Sequence, residues 1–169
     1  MTSATVNDLR AKTDASWANL RRQLDGMAPH MERADAPGEW TTRQVLSHLL
    51  FEPGWDPVAF LKKFSERDFP PGEITPGRVD VTPERQAMTL AQFVEALDAQ
   101  QRSVFQYLQS LGDADLHQRK ARIPLFKQFF GTDETPIAVY VGALFDYHWN
   151  DHAGQLAKIR KAVGLPDAK

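Results

Sequence analysis

Apolar residues return at spacings of three and four along most of this chain, the period of helices that bury one face. Val6, Leu9, Trp17, Leu20, Leu24 and Met27 predict a first helix of about twenty residues, with Thr5 or Asn7 as its cap. Two prolines and a glycine between Ala28 and Gly38 then read as a loop that holds His30, a histidine with no assigned role. A capping box, Thr41 with Gln44, opens the second helix, and Trp40 is placed to staple against Val45. Its core face runs through Val45, Leu46, Leu49 and Leu50, with His48 beside it, until Pro53-Gly54 breaks or kinks the pattern. Asp56-Pro57 restarts a helical piece through Phe60, Leu61 and Phe64.

From Ser65 to about Pro83 the chain carries Pro70-Pro71-Gly72 and Pro76-Gly77 and predicts a structureless crossover, long enough that the helices it joins need not be neighbours. Thr89 with Gln92 repeats the capping box, and Leu90, Phe93, Val94, Leu97, Val104, Phe105, Leu108 and Leu111 give a third helix that ends at Gly112. Asp113 to Asp133 reads as an irregular flap with one short helical turn. Thr135 as N-cap and Pro136 at the first helical position open the last helix, and Gly164 with Pro166 closes it. Its stripe is Ile137, Val141, Leu144, Phe145, His148, His152, Leu156, Ile159 and Val163. The fold class expected is all-α.

Composition narrows the function. At 169 residues the chain is expected to form one domain, 1–169, whose core stands without a disulfide or a structural metal. A net charge of −2 with scattered Lys and Arg offers no basic stripe, so no nucleic-acid partner is expected. No apolar run is long enough to span a bilayer and the amino terminus lacks a leader pattern, which makes the cytoplasm the expected compartment and a membrane no partner. There is no cysteine, so a protein thiolate and any Cys-based zinc site are excluded, and metal ligands must be His, Asp or Glu.

The candidate chemistry is histidine. His148 and His152 stand four apart on one helix, which puts both imidazoles on one face, one turn apart. Burying both without a shared partner leaves polar groups unsatisfied, and a metal ion is such a partner. His48, on the second helix, is the candidate third ligand, since three neutral imidazoles with an open position hold zinc or a similar ion for chemistry. Glu52, at i+4 from His48, is the candidate catalytic residue: a fourth ligand, an acceptor for an imidazole N–H, or a general base, against the plainer reading of an exposed carboxylate. Asp151 reads as a helix-surface acid, and Tyr147, Trp149, Trp40 and Trp55 as packing residues. Arg119, Lys120 and Arg122 read as a solvated charge run, with an anion-binding role as the alternative.

The stretch from Gly38 to Leu49, containing Trp40-Thr41 and Leu46-Ser47-His48-Leu49, is similar to the Trp-Ser/Thr-x-x-x-x-Leu-x-His-Leu segment of the DinB/YfiT-like superfamily. His148 to Leu156 resembles that family's His-x-x-x-His-x-x-Gln-Leu/Ile segment, and Leu108 to Leu116, with its Asp-x-Asp-Leu, is also similar. The resemblance implies a four-helix bundle in up-down-down-up order, with the Ser65–Pro83 crossover joining helices 2 and 3, and a homodimer. It also implies His48, His148 and His152 as ligands of a divalent ion, nickel or zinc, with water completing the shell. Relatives of known activity include transferases and isomerases that use a low-molecular-weight thiol, and hydrolases.

Two functions follow as expectations. The first is a metal-dependent enzyme, hydrolase-like or a thiol-dependent S-transferase, in which the three-histidine ion activates water or an external thiol toward a small-molecule substrate. The second is a non-catalytic stress-response protein that binds a metal or a small apolar ligand. An apolar pocket beside an open metal position favours the first.

Overall fold

The computed structural model describes residues 3–169, and they are mostly helical. Helix α1 spans Ala4–Leu24, and Ser3 caps it by accepting from the Val6 amide at 3.0 Å. Neither Thr5 nor Asn7 is the cap, because both lie within the helix. The Thr5 amide instead donates to Asp113 at 3.1 Å, and its hydroxyl pairs with His117 Nε2 at 3.1 Å. The buried face of α1 is Val6, Leu9, Thr13, Ser16, Trp17, Leu20 and Leu24, a single stripe at helical spacing.

Helix α2, Thr42–Leu49, begins with both halves of the capping box: the Thr41 amide donates to Gln44 Oε1 at 2.8 Å, and the Gln44 amide to Thr41 Oγ1 at 3.2 Å. Eight residues are too few to hold a helix in water, so tertiary contacts must fix this one. They converge on its carboxyl end. Arg85 donates to the Ser47 carbonyl at 2.9 Å and to that of Phe51, and Gln100 accepts from the Phe51 amide at 2.8 Å while donating to the Leu49 carbonyl at 3.0 Å. Carbonyls that the helix leaves without partners at its end are thus taken up by fixed donors, and His48 sits among them. The chain turns at Gly54, where φ is +81°, and α3, Pro57–Lys63, restarts with Asp56 capping the Val58 amide at 2.8 Å.

The crossover carries more structure than its composition predicts. Ser65 and Lys120 exchange backbone hydrogen bonds at 3.1 and 2.8 Å, and Arg122 bonds to Pro70 and Gly72 at 2.8 Å each, so the first part of the connection is laced to strand β1, Lys120–Arg122. Gly72 is required there, since a Cβ would lie 2.6 Å from the Phe60 ring. A short helix α4, Pro83–Ala87, closes the connection with Thr82 as its cap. Helix α5 spans Leu90–Leu108 behind the second capping box; it ends before Gly112, which is instead the N-cap of α6, Asp113–Gln118.

The flap is ordered. After α6, strand β1 pairs antiparallel with β2, Glu134–Pro136, in the register Ala121 to Thr135, and between them lie a 3₁₀ turn, Pro124–Phe126, and α7, Lys127–Phe130. Three-residue strands are too short to show a period of two in the sequence.

The last helix also departs from expectation at its start. Thr135 belongs to β2 and Pro136 occupies the cap position, so the helix opens as α8, Ile137–Val141. A π-helical segment, Gly142–Tyr147, follows and runs into α9, His148–Ala162, which Gly164 ends at φ +80°. Val141, Phe145, Trp149 and Ala153 all face the core. Four-residue steps in a pure α-helix drift by about 40° each, and the wider π turn absorbs part of that drift. Its effect is to keep Phe145 and Trp149 inward, packed at 5.0 Å with Trp17 beyond them at 5.1 Å, while Leu144 and His148 turn to the other side. α1 lies along α9 and the π segment, α2 against α9 and α5, and α5 against α1 and α3. Among the described residues, no helix is long and apolar enough to cross a membrane.

Candidate metal centre

The penultimate residue of α2, the first residue of α9 and the residue one turn later bring His48, His148 and His152 together. Their ring centroids stand 4.9, 4.8 and 4.7 Å apart in the three pairings, each pair edge-on. One nitrogen from each lies within 4.8 Å of the others, and His48 Nε2 is 2.9 Å from His148 Nε2.

Proton positions follow from the other side of each ring. His48 Nδ1 is 2.5 Å from the Arg78 carbonyl, which can only accept, so Nδ1 donates and Nε2 is left as a lone pair. His152 Nδ1 donates to Gln155 Oε1 at 2.8 Å with the same result. The Leu144 carbonyl, at the π segment, acts on the His148 ring to raise its pKa, and His148 Nε2 faces His48. Two oxygen acceptors therefore fix the tautomers of His48 and His152 and leave their Nε2 atoms free to ligate. The His48 Nε2 lone pair can accept from His148 Nε2 at 2.9 Å or share a cation with it, and the three nitrogens together fit a divalent ion bound through imidazole.

Burial keeps His148 and His152 neutral. Desolvation first, then the neighbouring His152 and His48, push the His148 pKa down from 6.5 to about 3, although the Leu144 hydrogen bond opposes them. Desolvation likewise lowers that of His152, against the Gln155 bond. Neutral imidazole is the form that binds metal. Trp40 forms the wall on one side, 4.9 Å from the His48 ring and stacked on His152 at 6.0 Å with 8° between planes. It is more than the packing residue its position before the cap predicts.

Glu52 is not part of this set. Its carboxylate is exposed and accepts from Arg78 Nη1 at 2.7 Å, and Arg78 also reaches Asp80 at 3.0 Å. Pro53-Gly54 and the extended Leu50 end the helix before Glu52 completes another turn, so the i+4 relation to His48 does not hold. Glu52 meets the site only through Arg78, whose carbonyl holds His48. Asp151, by contrast, lines the cavity described next.

A cavity of about 570 Å³ opens beside the three rings. Its walls come from the crossover at Ile74 to Gly77, the flap at Leu125, Phe126, Phe129 and Phe130, and the last helix at Tyr140, Ala143, Leu144 and Tyr147. The flap therefore does border the site. Tyr147 is 68% exposed at the rim, not packed, while Trp149 is in the core as expected. None of the basic cluster lines it: Arg119 donates to the Phe64 and Lys62 carbonyls, Lys120 pairs with Glu134, and Arg122 with Asp133 and Glu134.

Gln155, three residues after His152 on the same face, was within reach of the spacing argument; Tyr140, eight before His148, was less so. The Arg78 and Leu144 carbonyls are backbone and leave no sequence signal.

No curated protein and no solved structure matches the chain. A family match, to the DinB superfamily, covers residues 6–156 and takes in both histidine segments and every helix between them. The chain belongs to the DinB superfamily.

Proposed function

We propose that His48, His148 and His152 hold a divalent ion, zinc or nickel, and that the protein is a metal-dependent enzyme acting on a small molecule in the adjoining cavity. The observation that carries this reading is the convergence of one nitrogen from each of the three rings, two of which have Nδ1 committed to an oxygen acceptor so that Nε2 is left to ligate. A bound ion supplies Lewis acidity there, lowering the pKa of a coordinated water or thiol toward neutrality.

The chain's own residues do the rest. Arg78 and Gln155 hold two of the rings in one tautomer, so little reorganisation is needed when a ligand arrives. Glu52 steadies the Arg78 loop as a positioning residue. Asp151 is the carboxylate on the cavity wall and is the group at hand to accept a proton. Apolar walls exclude bulk water and strengthen electrostatic effects inside.

Between water and an external thiol, the lining favours water and hence a hydrolase-like reaction. Low-molecular-weight thiols of the kind relatives use are highly polar, and no Lys or Arg lines the cavity. The same proposal includes the family's arrangement, one domain folded as an up-down-down-up four-helix bundle that works as a homodimer in the cytoplasm. It is tested by assaying zinc- or nickel-loaded protein on 4-nitrophenyl butyrate. Turnover that chelator and His148→Ala both abolish supports an enzyme. Tight metal binding without turnover, on this ester or with added thiol, supports the binding-protein reading.

A further inference from the structure

Tyr140 is 3% exposed, yet it lines the cavity, and its hydroxyl has no hydrogen-bond partner among the described residues. Its ring cannot swing away to find one. Phe60, Phe64 and Phe126 clamp it at centroid distances of 5.7, 5.6 and 6.2 Å. Burial also pushes the phenol pKa up, so the group is a neutral donor throughout the physiological range. A phenylalanine would fill the same ring position, so the hydroxyl is the part of this side chain that packing does not account for, and it is free to donate to whatever occupies the cavity.

Tyr140, Ala143, Leu144, Tyr147 and His148 follow one another along a single face of the last helix, and all line the cavity. Tyr140 and His148 mark two ends of that face, separated by eight residues, or roughly 12 Å of helix axis. Between them the surface is apolar and largely aromatic, with Phe129 and Phe130 opposite. Among the described residues Asp151 is the one formally charged side chain on the wall, and it is negative. Away from the three histidines an anionic ligand would meet no cation, whereas a flat apolar one would stack on rings. At about 570 Å³ the space suits a molecule of one or two rings with a short chain.

We propose that the cavity takes an uncharged, largely apolar, ring-bearing molecule with a hydrogen-bond acceptor at the end far from the histidines, and that the Tyr140 hydroxyl donates to that acceptor. Tyr140 thus selects among apolar molecules by their acceptor. This deepens the reading of the site given above and rests on it for the reactive end of the cavity, but not for the Tyr140 end.

The two are separable by experiment. Acetophenone, which carries a carbonyl acceptor, ethylbenzene, which has the same shape without one, and benzoate, which is anionic, are titrated by ligand-observed NMR. The titrations use the parent and Tyr140→Phe, each with and without saturating zinc, and circular dichroism confirms that both are folded. Acetophenone is expected to bind the parent roughly tenfold more tightly than Tyr140→Phe, with or without zinc. Ethylbenzene should bind both proteins alike, and benzoate should bind the zinc-free parent at least about tenfold more weakly than acetophenone. Equal binding of acetophenone to the two proteins, benzoate as tight as acetophenone without zinc, or no binding of any probe would overturn the inference. Zinc binding is read separately from metal content, so its loss with acetophenone discrimination intact would sink the metal centre and leave Tyr140's role standing.

Discussion

His48 Nε2 and His148 Nε2 lie 2.9 Å apart, brought together from positions one hundred residues apart in the chain. The His48 ring is held there from behind by the Arg78 carbonyl. That arrangement leads to four predictions.

The first concerns the groups behind the rings. Gln155→Leu removes the acceptor that fixes His152 and should weaken zinc binding about 10–100-fold while leaving the helix intact. Glu52→Gln should do much less. The Glu52–Arg78 pair is exposed on both sides and contributes little, so the loss should stay below about fivefold. Competition with a chromophoric chelator measures both. A Glu52 effect as large as that of Gln155 would show that the carboxylate acts more directly.

pH gives a second test, on metal-free protein. His148 is held near a pKa of about 3 when folded, against an ordinary value of 6.5. Between those values the unfolded chain binds the extra proton, so stability must fall as pH drops below 6.5 and level off near 3. The slope from this residue is at most about 1.4 kcal/mol per pH unit. His152, also depressed, adds to it in the same direction. Urea midpoints from pH 7 to 4 should show the decline, and His148→Phe should make it shallower. An equal slope in that variant would contradict the burial argument.

Third, removing metal should lower the melting temperature only modestly. The core, including Phe93, Phe105, Phe145, Trp149 and Leu46, is built without the histidines. Leu46→Ala should cost about 2–5 kcal/mol, more than chelation does at modest free metal. Complete unfolding on chelation, followed by circular dichroism, would mean that the ion is structural.

Features written in local chemistry were legible in the sequence. Both capping boxes form as read, because a side chain three residues from its partner amide depends on little else. The His148–His152 pair was legible because i and i+4 fix a shared face, and His48 was legible as a histidine beside the core face of another helix and through the family resemblance. What escaped depends on partners distant in sequence or on backbone atoms. Thr5 lost the cap of α1 to Ser3, and Thr135 joined a strand in which its pairing partner, Ala121, lies fourteen residues away. The π segment is invisible because Val141, Phe145 and Trp149 keep a spacing that an α-helix also allows. Glu52 looked adjacent to His48 only so long as the helix was assumed to continue, and the chain bends at Leu50.

The central claim is that the three imidazoles form one metal site, and metal content tests it most directly. Protein purified without an affinity tag, loaded with zinc and desalted, should carry about one ion per chain by elemental analysis, in line with a single set of three ligands. His148→Ala and His152→Ala, treated identically, should carry almost none. Substoichiometric zinc in the parent, or undiminished zinc in both variants, would contradict the account.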